Sequence, residues 1–145
     1  MLEIQKITSL QAPGLEPYRT LKRTREHIEQ RIFVIQGEKT VQVLLKSRFT
    51  IISLLVSDEW LKRVETACRA RSEMIQVYTG EKPLLQKLIG HTMYQPILAV
   101  AKIPMEPSLE SVLMNSPRPC LLAAFEGISN AEILGALVRN CAAFG

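Results

Sequence analysis

The chain is predicted to adopt an α/β fold, and three observations lead there. Strand-like and helix-like stretches alternate through roughly the first hundred residues, an order that favours a layered α/β arrangement. Two of the strand-like runs, residues 51–56 and 97–101, are almost continuously apolar, as a strand covered on both faces requires. Between them, apolar residues recur at helical spacing. Together these predict a three-layer α/β/α sandwich around a mixed or largely parallel sheet of about four strands. The 145 residues, 47% of them hydrophobic, suit one compact domain or a small domain plus a further piece.

Glu16-Pro17 opens a first helix, because proline is tolerated in a first turn. Tyr18, Leu21, Ile28 and Ile32 fall on one side of it, with Arg19, Lys22 and Arg23 nearly opposite. Residues 31–36 read as a strand that Gly37 ends. A helix opening at Glu38 turns Val41, Leu44 and Leu45 inward and leaves Lys39, Gln42 and Lys46 outside. After the strand at 51–56, Ser57 is placed to cap the next helix, and Asp58 and Glu59 suit its positive end. Trp60, Leu61, Val64, Ala67 and Cys68 keep the helical period there. A third strand covers 74–78, a short helix runs from Glu81 to Ile89 and stops at Gly90, and a fourth strand covers 97–101.

Four prolines, at 104, 107, 117 and 119, bracket a linker with room for one helical turn near 109–114. The chain therefore divides into residues 1–106, a linker 107–119 and a second block 120–145. In that block a strand at 120–126 leads through Ser129-Asn130-Ala131-Glu132, a capping-box pattern, into an apolar helix. Ile133, Leu134, Leu137, Val138 and Cys141 make its buried stripe, and Gly135 and Ala136 leave room for another backbone. A lone strand and helix cannot cover both faces of an α/β layer, so the block reads as the opening unit of a larger domain. Arg139, taken by itself, reads as a surface arginine favoured by the helix dipole.

Charge is unevenly distributed. Residues 1–106 hold sixteen Lys/Arg against eleven Asp/Glu, a net +5, and residues 107–145 carry −1, which together give +4. A basic first part suits a polyanion such as RNA, and a solvated charged surface fits the charge equally well. No apolar run reaches the roughly 18 residues of a membrane span. The N-terminus has no signal- or transit-peptide plan, so a cytoplasmic location is expected. Cys68, Cys120 and Cys141 are unpaired in spacing and lie in apolar stretches, which reads as buried thiols. His27 and His91 are solitary, and no cluster of metal-ligand type is present.

Residues 121–145 resemble the first sequence motif of the SpoU family of RNA 2′-O-ribose methyltransferases, within the SPOUT superfamily. Leu134-Gly135-Ala136-Leu137-Val138-Arg139 and Ala143-Phe144-Gly145 carry that resemblance. Ile133 stands where the family usually has Asn. Phe33-Val34-Ile35-Gln36-Gly37-Glu38-Lys39 is similar to the start of the substrate-binding domain that precedes the SpoU catalytic domain. Tyr94-Gln95-Pro96, leading into the strand at 97–101, is similar to that domain's close, with Pro96 in place of the usual Gly.

The resemblance implies an RNA-binding domain similar to kink-turn-binding ribosomal proteins, followed by the first unit of a knotted SPOUT methyltransferase domain. It implies rRNA or tRNA as partner, S-adenosylmethionine as methyl donor with its pocket not encoded in this chain, no metal, and a homodimer in the complete protein. It makes Arg139 the catalytic arginine. An arginine is too basic to serve readily as a proton acceptor, so positioning of ribose and phosphate is its expected role. Charge and resemblance together put the RNA surface on Arg19, Lys22, Arg23, Lys39, Tyr94 and Gln95. A competing expectation is a non-catalytic RNA-binding module resembling a ribosomal protein.

Overall fold

The computed structural model describes residues 1–90 and 96–144. It divides into two units, Met1–Met105 and Glu106–Gly145. The first contains β1 (Leu2–Lys6), α1 (Glu16–Arg19), α2 (Thr24–Glu29), β2 (Ile32–Gln36), α3 (Glu38–Lys46), β3 (Ile51–Ser57), α4 (Asp58–Arg69), β4 (Ile75–Gly80), α5 (Lys82–Ile89) and β5 (Ile97–Lys102).

The sheet has five strands in the order β1-β4-β3-β5-β2. β1 pairs parallel to β4 and β4 parallel to β3, whereas β5 is antiparallel to both β3 and β2. The expectation of about four strands is thus corrected to five, and the sheet is mixed because β5 runs against its neighbours. β1 has no clear mark in the sequence because it is an edge strand. Only its first residue is shielded from solvent, so its composition carries little of the apolar signal that marks β3.

Alternation along each strand sends side chains to opposite faces. Leu54 and Val56 join Val41, Leu44, Trp60, Val64 and Cys68 beneath α3 and α4. Leu55 joins Leu15, Tyr18, Tyr78, Leu85 and Leu98 on the side of α1 and α5. Two apolar layers around one sheet make the α/β/α sandwich. On the second side Tyr18 is fully buried, and its hydroxyl meets Ser53 Oγ at 2.8 Å, which satisfies both groups. Burial pushes the Tyr18 phenol well above its ordinary pKa, so it stays neutral. The ring also meets Tyr78 edge to face at 6.4 Å.

Several local expectations are corrected. The first helix is two helices. Thr20 ends α1 by donating to the Glu16 carbonyl at 2.9 Å and also contacts Nε2 of buried His27. The break re-aims the chain beyond it, so Ile28 is exposed and Ile32 belongs to β2. Ser57 occupies the N-cap of α4, but its side chain makes no capping bond, and Ala67 on that helix is exposed.

The second unit contains α6 (Leu109–Asn115) and α7 (Ala131–Phe144). Ser108 caps α6, accepting from the Ser111 amide. Residues 120–126 form no strand among the described residues, because none of them has a ladder partner, and an extended segment becomes a strand only when paired. Asn130, not Ser129, caps α7. Its Oδ1 accepts from the Glu132 amide at 2.8 Å, so the helix begins one residue later than the capping-box pattern implies. The expected buried stripe is instead open, with Ile133, Leu134 and Val138 all exposed. Cys68 is buried as expected, whereas Cys120 is half-buried and Cys141 exposed.

One polar clamp fixes the loop between α3 and β3. The Arg71 guanidinium donates to the carbonyls of Leu45 and Ser47 at 2.8 Å and of Phe49 at 2.7 Å, and pairs with Glu73 Oε1. Glu73 Oε1 also accepts from the Ile51 amide at 3.1 Å. Largely shielded from solvent, the pair satisfies the carbonyls at the C-terminal end of α3. The Arg71 hydrogen bond, aided by the Ile51 amide, holds the Glu73 carboxyl down at about 2, against the effect of its partial desolvation.

These contacts set the stability of the first unit in two measurable ways. Gly14 sits at φ +83, and a Cβ there would overlap the Tyr78 hydroxyl. Gly14→Ala should cost about 2 kcal/mol or more, from left-handed backbone strain plus displacement of Tyr78; urea denaturation measures it, and an unchanged midpoint would be inconsistent. Glu73 titrates lower folded than unfolded, so its contribution is present above its ordinary value near 4.5 and is lost as pH falls towards 2. Glu73→Gln should therefore be less stable than wild type at pH 7, and the gap should close in acid. A gap independent of pH would contradict the clamp.

Candidate nucleic-acid interface

The rim of the sheet where β2 ends collects the basic residues. Gly37 takes φ +98 between β2 and α3, a conformation that favours glycine, and its amide donates to the Ile97 carbonyl at 2.9 Å. Gly37-Glu38-Lys39 is thereby held beside the start of β5, with Gln36 paired opposite Leu98. The turn from Thr20 to Arg23, closed by Arg23 N–H to the Thr20 carbonyl at 2.8 Å, projects Lys22 and Arg23 into solvent.

An open groove of about 520 Å³ results, lined by Arg19, Thr20, Leu21, Lys22, Arg23, Gln36, Ile89 and Gly90. Three of the residues named from sequence, Arg19, Lys22 and Arg23, lie on it together. Lys39 lies in the first turn of α3, three residues beyond Gln36. Tyr94 and Gln95 lie outside the described residues. Gln36, Thr20 and Gly90 were not anticipated. Gln36 stood within a motif already noted, whereas Gly90 had no signal beyond ending a helix and Thr20 had none, because its role in ending α1 appears only in the fold.

The cations differ in freedom. Arg19 donates to the Leu10 carbonyl and to Gln11 Oε1, both at 2.9 Å, so it braces the loop before α1. Arg23 pairs with Glu26 at 3.4 Å, an exposed bridge of little strength. Lys22 and Lys39 have no ion pair among the described residues. A groove with solvent-exposed cations and an amide (Gln36) at its wall has the groups that phosphates and an edge of a base require.

The neighbouring part of the rim has the opposite character. Ser57, Asp58, Glu59, Trp60, Gly80, Glu81, Lys82 and Pro96 line a smaller hollow of about 270 Å³. Asp58 accepts from Thr79 Oγ1 at 2.6 Å and pairs with Lys6 at 3.2 Å. The Thr79 hydrogen bond first, then Lys6, keeps its carboxyl below its ordinary value despite some desolvation. Carboxylates at 58, 59 and 81 make this hollow less favourable to an anion than the groove, although Lys82 also lines it and Lys6 and Arg63 pair with Asp58 and Glu59.

In the second unit Arg139 is exposed on α7 and makes no ion pair among the described residues. A Cβ on Gly135 would meet nothing within 4 Å. Leu121, Leu122, Ala123, Phe125, Leu137, Asn140, Cys141 and Phe144 line a groove of about 430 Å³. Asn140 is its single amide. A zwitterionic sulfonium nucleoside needs several donors and acceptors, so this lining does not fit S-adenosylmethionine.

No protein-family model matches the chain. Uncharacterized tRNA/rRNA methyltransferases of Mycobacterium bovis and Mycobacterium tuberculosis are 26% identical to it, over 97% of this chain and 49% of theirs. The chain thus spans about half the length of the curated relatives it matches. A solved RNA 2′-O ribose methyltransferase aligns with the whole chain and 53% of its own length at TM-score 0.58 and 21% identity. An AdoMet-bound rRNA methyltransferase from Sinorhizobium meliloti covers 72% of this chain and 38% of its own at TM-score 0.55 and 19% identity. These structural likenesses show the shared mixed α/β fold. The resemblance read from the sequence agrees with these findings: the chain is similar to tRNA/rRNA methyltransferases and matches the N-terminal part of them.

Proposed function

We propose that the chain is the RNA-holding part of an S-adenosylmethionine-dependent RNA 2′-O-ribose methyltransferase acting on rRNA or tRNA in the cytoplasm. The observation that carries this reading is the basic groove at the end of β2, where Arg19, Lys22 and Arg23 meet Gln36. The tRNA/rRNA methyltransferase relatives support it from an independent direction. S-adenosylmethionine, when bound, supplies a methyl group already activated on sulfonium. The described residues do not fit it, so the pocket belongs elsewhere in the enzyme, in the knotted domain that the resemblance implies, and the complete protein would be a homodimer.

The chain's own residues have two roles in this reading. Lys22, Arg23 and Lys39 take phosphates, while Gln36, together with Tyr94 and Gln95 as the sequence resemblance implies, touches bases or sugar. A likeness to kink-turn-binding ribosomal proteins, which the sequence resemblance implies, would favour a bent or bulged RNA over a regular duplex. Arg139 is a positioning group. Its planar fork holds a ribose and its adjacent phosphate through paired N–H donors, so that the 2′-hydroxyl is oriented for transfer. Exposure on α7 leaves its head free for that role.

Two results test this. Replacing Lys22 and Arg23 together by Glu should weaken RNA binding by about tenfold or more at low salt and flatten its salt dependence, since about two phosphate contacts are lost; unchanged affinity would remove the groove. In the full-length enzyme Arg139→Ala should abolish methyl transfer, followed with labelled methyl donor, while RNA affinity changes less than about threefold. Transfer at the wild-type rate would refute the role of Arg139.

A further inference from the structure

The opposite rim of the first unit carries a second feature that the groove does not use. The loop between α3 and β3 presents Arg48 and Phe49 to solvent, and Phe49 remains 40% exposed. A small hollow of about 200 Å³ is lined by Arg48, Phe49, Thr50, Lys102 and Pro104. Lys102 arrives there because its amide donates to the Thr50 carbonyl at 2.9 Å. Phe33 on β2 supports Phe49 from below, edge to face, with ring centres 5.4 Å apart.

This aromatic is held in place. Arg71 fixes the carbonyls of Ser47 and Phe49, and Ser47 Oγ accepts from the Phe49 amide at 3.2 Å. A large apolar ring left in water on a clamped loop loses little further conformational freedom when a partner arrives. The hollow's lining carries two cations and no carboxylate. Arg48 and Lys102 have no ion pair among the described residues, while Glu73, close by, is engaged by Arg71 and the Ile51 amide. An aromatic flanked by unpaired cations is complementary to an unpaired nucleotide, with the base on the ring and the phosphates on the cations. β2, the edge strand of the sheet, runs from this loop to the basic groove: Ile32 pairs opposite Lys102 at one end and Gln36 opposite Leu98 at the other.

We propose that Phe49, Arg48 and Lys102 form a second RNA contact, which takes one single-stranded nucleotide flanking the RNA held in the groove. The proposal rests on the RNA-binding reading above and extends it by naming a single-stranded flank as part of the substrate. The two rims then differ in role. The groove reads backbone charge, and the Phe49 platform reads whether a base is free to stack.

Binding of the 145-residue chain to a labelled oligouridylate dodecamer and to a blunt RNA duplex of equal length tests it. Phe49→Leu keeps an apolar packing partner for Phe33 but removes the stacking face. It should weaken single-strand binding by about tenfold and leave duplex binding within about twofold. Phe49→Trp should retain single-strand affinity, and the fluorescence of the new indole should be quenched on binding. The Lys22 and Arg23 double substitution to Glu should instead weaken both RNAs. Wild-type single-strand affinity in Phe49→Leu, or equal loss for both RNAs, overturns the platform while leaving the groove standing. A change in sedimentation with no change in RNA binding would make the patch a protein interface and likewise overturn it. Failure of wild-type protein to bind the single strand would overturn the platform, and failure to bind a bulged RNA hairpin as well would defeat the groove reading too.

Discussion

Burial of β3 on both faces is the constraint on which the rest depends. Leu54 and Leu55 are neighbours in the chain, point to opposite sides and are both fully buried. Each such side chain is stabilised by roughly 1.5–3 kcal/mol on leaving water, so a strand of this kind demands a layer above and a layer below. α3 and α4 supply one layer, and α1 and α5 supply the other. With both faces of the sheet closed, polar chemistry has only the rims left, where strands end and helices begin. The basic groove, the carboxylate hollow around Asp58 and the Phe49 loop are all rim features.

The rims differ in how they are stiffened. At the Phe49 rim a shielded Arg71–Glu73 pair holds three carbonyls and one amide, so that loop has little freedom. At the groove rim the bracing is lighter: Thr20 closes α1, Gly37 joins β2 to β5, and Arg19 reaches back to Leu10. Lys22 and Lys39 are left without ion pairs among the described residues and able to adjust to a phosphate backbone. A stiff platform paired with an adaptable charged groove suits recognition of a polymer whose backbone is irregular and whose bases present flat faces.

How much of this the sequence revealed depends on burial. The inner faces of α3 and α4 were legible because Val41, Leu44, Leu45, Trp60, Val64 and Cys68 keep strict helical spacing and are all buried. β1 was not, because an edge strand with exposed side chains leaves no apolar run to read. The break between α1 and α2 was hidden since it is made by Thr20 and His27, a contact between residues that no period connects. In the second unit the apolar pattern is real as a pattern, but neither a strand nor a buried stripe is realised, since both require partners that pattern cannot supply. The basic residues of the groove could be named from charge, whereas their convergence with Gln36 needed the fold.

RNA lying along the β2 side of the first unit, held by the groove between the α1–α2 turn, the end of β2 and the end of α5, is the central claim. Amide hydrogen exchange of the 145-residue chain with and without a bulged RNA hairpin tests it most directly. Slowed exchange is predicted in residues 19–24 and 36–40, with α4 and the Asp58 hollow unchanged. Protection centred on residues 58–70, or none anywhere, would contradict it.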